Sequence, residues 1–157
     1  MAKKKTVEAI DLDNLPGHYI RRMQQIAVAI FLQETEEHGV TPVQYAALQG
    51  VANTPEIDQR SLARAIGLDT STVAGVIDRL EARGLMLREA SAEDRRVRLL
   101  HLTDEGRALL SALVPAMQRA QERMLEPLPK GERGEFMRML RTIVSANNEL
   151  SRAPSDA

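Results

Sequence analysis

The sequence predicts a mainly α-helical chain with one small β-hairpin, and three observations predict it. Apolar residues recur at helical spacing through most of the 157 residues. Two short helix signatures meet across a glycine-containing turn at Gly67. The apolar period changes from helical to alternating only between Leu85 and Leu102.

Leu15-Pro16 opens a first helix in which Ile20, Met23, Ala27, Ile30 and Phe31 share a face until Gly39. That is roughly 22 residues, or about 33 Å at 1.5 Å per residue. Thr41-Pro42-Val43-Gln44 then pairs an N-cap threonine with a glutamine three residues on, which starts a second helix running to about Asn53. Past Asn53-Thr54-Pro55, Asp58 or its neighbour begins a short helix carrying Leu62, Ala63, Ala65 and Ile66, and Gly67 ends it. Asp69 caps the next helix, whose Val73, Val76, Ile77 and Leu80 form one buried stripe before Gly84. These two helices and their short turn read as a helix-turn-helix. In the hairpin that follows, Leu85 and Leu87 share one face of the outgoing strand, a turn runs from Ser91 to Arg96, and Leu100 and Leu102 lie opposite Val97, Leu99 and His101 on the return. Thr103-Asp104-Glu105-Gly106 caps a long helix with Leu110, Leu113, Met117, Ala120 and Met124 on one stripe. After Pro127 and Pro129 a last helix carries Phe136, Leu140, Ile143 and Leu150.

Composition narrows what such a chain does. With 43% hydrophobic and 27% charged residues it has enough apolar surface for a core, and no apolar run approaches the roughly 20 residues a membrane span needs. The chain divides into a flexible basic arm over residues 1–14, one folded domain over 15–150 and a polar tail over 151–157. Met1-Ala2-Lys3-Lys4-Lys5 has none of the apolar character of a secretory leader, so a cytoplasmic location is expected. There is no cysteine, which excludes disulfides, thiolate metal sites and thiol redox sensing. Aromatic residues are 3%, too few for the stacking platforms of single-strand binders. His18, His38 and His101 are far apart in sequence and no glycine-rich phosphate loop follows a strand, so neither an enzyme nor a cofactor is expected. His38 with Glu34 and Glu37 is a solvated helix end, and no metal is expected.

Nucleic acid is the partner that the middle of the chain suggests. The helix after Asp69 turns Ser71, Gly75 and Asp78 away from its buried stripe, flanked by Thr70, Thr72, Ala74, Arg79 and Arg83. Small polar side chains let a helix lie deep in a major groove, and the arginines can reach phosphate oxygens. The same pattern also describes a solvated helix face. Arg95, Arg96 and Arg98 cluster at the hairpin tip, where a guanidinium suits the narrow minor groove and Asp94 can hold one extended; an ordinary charged turn has the same composition. Residues 60–102 hold eight arginines against six carboxylates, a modest basic excess in a chain whose net charge is −1. The long flanking helices carry more apolar surface than a 45-residue lobe can cover, so either a partner chain covers it or the helices cover one another.

The string Leu80-Glu81-Ala82-Arg83-Gly84-Leu85, then Arg88, Asp94-Arg95-Arg96 and Leu102-Thr103-Asp104-Glu105-Gly106, set in this order of helices, resembles the multiple antibiotic resistance regulator (MarR) family of transcription factors. The resemblance spans residues 15 to about 150. It implies a winged helix-turn-helix lobe over about 41–102 and dimerisation helices over about 15–38 and 103–150, intertwined in a homodimer that reads a pseudo-palindromic duplex. It places Ser71 and Thr72 on bases or phosphates in the major groove, Arg96 in the minor groove and Asp94 as its brace. Ala74 and Gly75 depart from relatives with longer side chains there, which shifts specificity toward lobe spacing and DNA shape. The alternative function is a winged-helix protein-interaction module without specific DNA binding.

Family members commonly release DNA on binding a small molecule, which implies an effector here. His18, Tyr19, Arg21, Arg22 and Met23 crowd the start of the first helix and Tyr45 lies on the second; arginine can clamp a carboxylate while tyrosine and methionine face a ring. The Leu15-Pro16-Gly17-His18 opening and the arginine pair resemble regulators of aromatic-acid breakdown, which answer to an aromatic carboxylate or its coenzyme A thioester. Two arginines on a long helix more often form interchain ion pairs or touch DNA phosphates, and His18 more often serves as a helix-entry hydrogen-bonding residue than as a ligand.

Overall fold

The structure, a computed structural model, describes residues 10–153. Residues 1–9 of the basic arm and 154–157 of the tail lie outside the described residues. Within the rest of the arm, Leu12–Asn14 form a single 3-10 turn whose Asp11 carboxylate accepts from the Asp13 amide at 3.1 Å.

Helix α1 runs Pro16–Glu34, with proline at its start where the missing N–H costs nothing. It ends sooner than the sequence suggested. Thr35, 1% exposed, turns its hydroxyl back to donate to the Phe31 carbonyl at 2.9 Å, and the chain tightens into a 3-10 turn at Glu36–His38 before Gly39 takes the left-handed conformation. Gly39 therefore caps that turn and not the long helix. Helix α2, Pro42–Asn53, opens on the reciprocal cap expected: the Gln44 amide donates to Thr41 Oγ1 at 3.2 Å and the Thr41 amide to Gln44 Oε1 at 3.1 Å. Asp58 caps α3, Gln59–Ile66, and Gly67 closes it at φ 72°. Asp69 caps α4, Thr70–Ala82.

Between α4 and the hairpin Gly84 sits at φ 70° and the Leu85 amide returns to the Leu80 carbonyl at 2.9 Å. That turn resets the strand phase. Strand β1, Met86–Ala90, pairs antiparallel with β2, Arg98–Leu102, in a register that sets Met86 opposite Leu102 and Arg88 opposite Leu100. Met86, Leu100 and Leu102 face the core, whereas Leu87 is 49% exposed; Leu85 is buried within the turn and does not share a strand face with Leu87. The Leu100 amide also bonds the Ile57 carbonyl at 3.0 Å, tying the hairpin to the segment before α3.

These elements close over one core built from Ala47, Leu48, Val51, Leu62, Val73, Ile77, Leu80, Met86 and Leu100. Each fully buried aliphatic side chain there contributes about 1.5–3 kcal/mol of transfer free energy. Helix α5, Asp104–Leu125, packs Leu113 against Phe31 and Val40 in a second, smaller cluster that joins it to α1. Its buried stripe is Leu110, Leu113, Ala116 and Ala120, with Met117 and Met124 half-buried. Helix α6, Arg133–Ala146, has no buried residue at all. Asn147 ends it by donating its side-chain amide to the Ile143 carbonyl at 2.8 Å, so Leu150 falls beyond the helix in a 3-10 turn and is 85% exposed.

A candidate nucleic-acid interface

Helix α4 is capped at its start and tied to the scaffold just past its end. At its start the Asp69 carboxylate accepts from the Thr72 amide and the Thr72 hydroxyl, each at 2.7 Å. Those bonds, the hydroxyl's first, hold the Asp69 carboxyl below the usual carboxylate range. The cap uses the Thr72 hydroxyl proton, while the hydroxyls of Thr70 and Ser71 stand exposed on the first turn. Val73, Val76, Ile77 and Leu80 face the core, so the opposite face presents Ser71, Gly75 and Asp78. A Cβ on Gly75 would meet only the tip of Arg79 at 3.9 Å, which leaves a smooth strip along the helix between exposed side chains.

The hairpin is locked onto this helix by a residue whose structural role the sequence did not declare. Arg88 of β1 donates Nη2 to the Ala74 carbonyl at 3.1 Å and to Asp78 Oδ1, and its Nη1 lies 3.2 Å from Glu81 Oε2. Its amide donates to the other Glu81 oxygen at 2.9 Å. One side chain thus ties β1 to α4 over two turns and occupies the Asp78 carboxylate. Its letter alone could not distinguish it from the arginines that face solvent.

At the hairpin tip the Ser91 amide bonds the Val97 carbonyl and the Val97 amide bonds the Asp94 carbonyl, both at 2.9 Å. Asp94 Oδ1 accepts from the Arg96 amide at 2.9 Å and lies 3.9 Å from Arg96 Nε, so the carboxylate shapes the turn first and steers the guanidinium second. The Arg96 side chain is 95% exposed, and Arg95 and Arg98 are exposed beside it. Arg79 is exposed on α4, but Arg83, just past its end, is engaged: its terminal nitrogens donate to the Gly39 carbonyl at 2.9 Å and the His38 carbonyl at 3.3 Å. The structure therefore sets Ser71, Gly75 and Arg79 along the outer face of α4, with Thr70 and Thr72 flanking it on the first turn, Arg95 and Arg96 on the hairpin tip and Arg83 turned to the scaffold.

The effector candidates divide into two groups within the chain. His18, Tyr19, Arg21, Arg22 and Met23 share the first turns of α1, where His18 and Tyr19 meet edge to face at 5.5 Å and Tyr19 donates to Asp13 at 3.4 Å. Arg21 and Arg22 are exposed and Met23 is half-buried. Tyr45 packs against Phe31 at 6.0 Å between ring centres, and Phe31 lies nine residues beyond Arg22, about 13 Å along the helix axis. The far end of α1 is clamped to α5. Glu34, its side chain 14% exposed, accepts from Arg123 Nη1 and Arg119 Nε at 2.8 Å each, and these two bonds hold its carboxyl below the usual range.

Among the described residues no cluster of three or more His, Asp or Glu is placed to hold a metal ion, and no helix is long and apolar enough to cross a membrane.

Comparison with known proteins gives this geometry its context. A sequence profile of the MarR family matches residues 40–97, which covers α2 through the hairpin tip. The transcriptional repressor NicR of Pseudomonas putida is 31% identical over 154 residues, 94% of this chain and 98% of its own. PcaV of Streptomyces coelicolor, solved in complex with its natural ligand, superposes with a TM-score of 0.83 at 36% identity, covering 89% of this chain and 99% of that one. The transcriptional repressor CouR bound to a 23-mer DNA duplex superposes at 0.81 with 30% identity, covering 89% and 99%. CouR from Rhodococcus jostii RHA1 has also been solved with p-coumaroyl-CoA, at 0.74 and 27% identity, covering 86% and 95%. A chain alike to these from its first long helix to its last, with a capped helix pair and an arginine-tipped hairpin between them, belongs to the MarR family and is a transcription regulator, not an enzyme.

Proposed function

We propose that the chain is a homodimeric repressor that grips a pseudo-palindromic operator with α4 and the hairpin, and lets go when a small aromatic acid or its coenzyme A thioester binds. The observation that carries the reading is the joining of two DNA-suited surfaces by one brace: Arg88 fixes the smooth, hydroxyl-rich face of α4 relative to a tip whose Arg96 side chain is 95% exposed. Helix and tip are then held to enter adjacent grooves together. The similarity to a repressor solved on duplex DNA supports the same assignment.

Dimerisation is supported by what α1 and α6 leave uncovered. Ile20, Ile26 and Leu32 are 54%, 52% and 45% exposed, and on α6 Ile143 and Val144 are 53% and 64% exposed. On α6, which has no buried residue, Met139 and Ile143 follow four residues apart on one exposed face, and an apolar stripe of this kind is covered by a second chain in most soluble proteins. An aromatic effector is supported by the exposed Arg21 and Arg22 beside Tyr19 and Met23, and by the p-coumaroyl-CoA bound to CouR. Tyr45, packed on Phe31 about 13 Å along α1 from Arg22, stands apart from that cluster within one chain.

Fluorescence anisotropy on a duplex from the gene's own upstream region, against a scrambled duplex, tests the DNA reading. The wild-type protein is expected to prefer its own duplex and to lose affinity steeply with salt through counterion release. Arg96→Ala is expected to weaken binding about 10- to 100-fold, the effect of one groove contact per lobe. Equal binding to both duplexes would point to a protein-interaction module instead. For the effector, p-coumarate and p-coumaroyl-CoA head a panel of aromatic acids and thioesters. Arg21→Ala or Arg22→Ala is expected to keep operator binding while abolishing release by the active panel member. Undiminished release in both variants removes α1 from the ligand site.

A further inference from the structure

We propose that Arg83 is a positioning residue that transmits the placement of α1 to α4, and not a contact to DNA phosphate. The inference rests on α4 being the DNA-facing helix. Arg83 follows the last turn of α4, and its guanidinium reaches 44 residues back in sequence. Nη1 donates to the Gly39 carbonyl at 2.9 Å, Nη2 donates to the His38 carbonyl at 3.3 Å, and Gln44 Oε1 lies 3.5 Å from Nη1.

These acceptors end the 3-10 turn that connects α1 to α2. Carbonyls at a helical end lack intrahelical partners and carry partial negative charge, so a cation there satisfies both needs. A planar fork with two terminal nitrogens fits two successive carbonyls as a single ammonium does not. The acceptor frame is itself fixed. Gly39 holds the left-handed conformation at φ 59°, and the Gln44 side chain is committed to the cap with Thr41.

On the other side of the turn, Glu34 closes α1 under Arg119 and Arg123 of α5. Between that clamp and the guanidinium lie only residues 35–39. A shift of α1 against α5 therefore moves the carbonyls to which the end of α4 is tied. These bonds hold the guanidinium against the turn, and swinging it away to a phosphate would leave the turn without its cation.

The full-length wild-type protein, Arg83→Gln and Arg83→Lys would be titrated with the upstream duplex across salt concentrations. Amide hydrogen exchange of residues 36–41 would be followed with and without that duplex. Coupling through Arg83 is reciprocal, so DNA on α4 must protect the distant turn. We expect the duplex to slow exchange there in the wild type and at least about 5-fold less in Arg83→Gln. The variant's affinity should fall while the slope of log affinity on log salt stays unchanged, and lysine should restore neither the affinity nor the protection. A slope shallower by about 2 for the dimer, one phosphate per protomer, with recovery by lysine, would make Arg83 a phosphate contact and overturn the proposal. Equal protection of residues 36–41 in Arg83→Gln and wild type would also overturn it. Failure of the wild type itself to prefer the duplex would instead remove the DNA-facing reading of α4, and this proposal with it.

Discussion

Replacing Gly106 with alanine is expected to destabilise the folded protein by about 3 kcal/mol or more. A methyl group at that position would lie 2.1 Å from the Leu85 carbonyl oxygen and 3.1 Å from its carbon. Both atoms are main chain, so no side chain can swing aside. The first turn of α5 must instead withdraw from the turn between α4 and β1. Two bonds hold it there, the Thr103 hydroxyl donating to the Gly84 carbonyl at 2.6 Å and the Thr103 amide to the Leu85 carbonyl at 3.3 Å, and the Gly106 amide, donating to Thr103 Oγ1 at 3.0 Å, joins them to the helix. Strain and lost bonds therefore add. Urea unfolding at equal protein concentration measures the effect, and Gly134→Ala supplies the contrast. A Cβ on Gly134 meets nothing within 4 Å in the chain, so alanine in α6 should be neutral or stabilising by up to about 1 kcal/mol. A Gly106→Ala midpoint equal to wild type would mean that α5 does not rest on Leu85 this closely.

Gly106 also shows where sequence reading succeeds and where it stops. The string Leu102-Thr103-Asp104-Glu105-Gly106 marks a helix start because capping acts within three residues, and the same locality made Thr41, Asp58 and Asp69 legible as caps. The stripe Val73, Val76, Ile77 and Leu80 was legible because it repeats at the helical period. Why residue 106 is glycine was not legible, since the Leu85 carbonyl that excludes a side chain comes from another element. The end of α1, decided by the Thr35 hydroxyl bonding Phe31 four residues back, and the hairpin phase, decided by the Gly84 turn, are local choices that the residue types alone do not specify. In the candidate interface the residue types were readable but their commitments were not. Arg79, Arg83, Arg88 and Arg96 are one letter in the sequence; in the fold Arg88 braces, Arg83 grips the α1–α2 turn, and Arg79 and Arg96 face solvent. Contacts between elements, spanning up to 45 residues of chain, make that distinction.

The second large effect is expected from Ile143→Glu, which should convert the proposed dimer to a monomer and weaken operator binding by about 1,000-fold. Ile143 is 53% exposed on a helix with no buried residue, beside Val144 at 64% and Met139 at 45%. In a single chain a glutamate there meets water and costs little. In a two-fold interface each substitution counts twice, and each carboxylate enters an apolar contact without a partner. The loss of DNA affinity follows from geometry. Two joined lobes make the second half-site contact intramolecular, a gain of about 100- to 10,000-fold that a free lobe forfeits. The lobe core, from Leu48 and Leu62 to Ile77 and Leu100, draws on no α6 residue, so α4 and the hairpin should remain folded in the variant. Sedimentation equilibrium at micromolar concentration should show the wild type at twice the 17.4 kDa chain mass and the variant at that mass. Anisotropy on the upstream duplex reads the affinity of each. A variant that remains dimeric would move the interface off this face of α6. A monomeric variant with undiminished affinity would mean that one lobe suffices for the operator, and the pseudo-palindromic reading would fall while the helix and tip assignments stood.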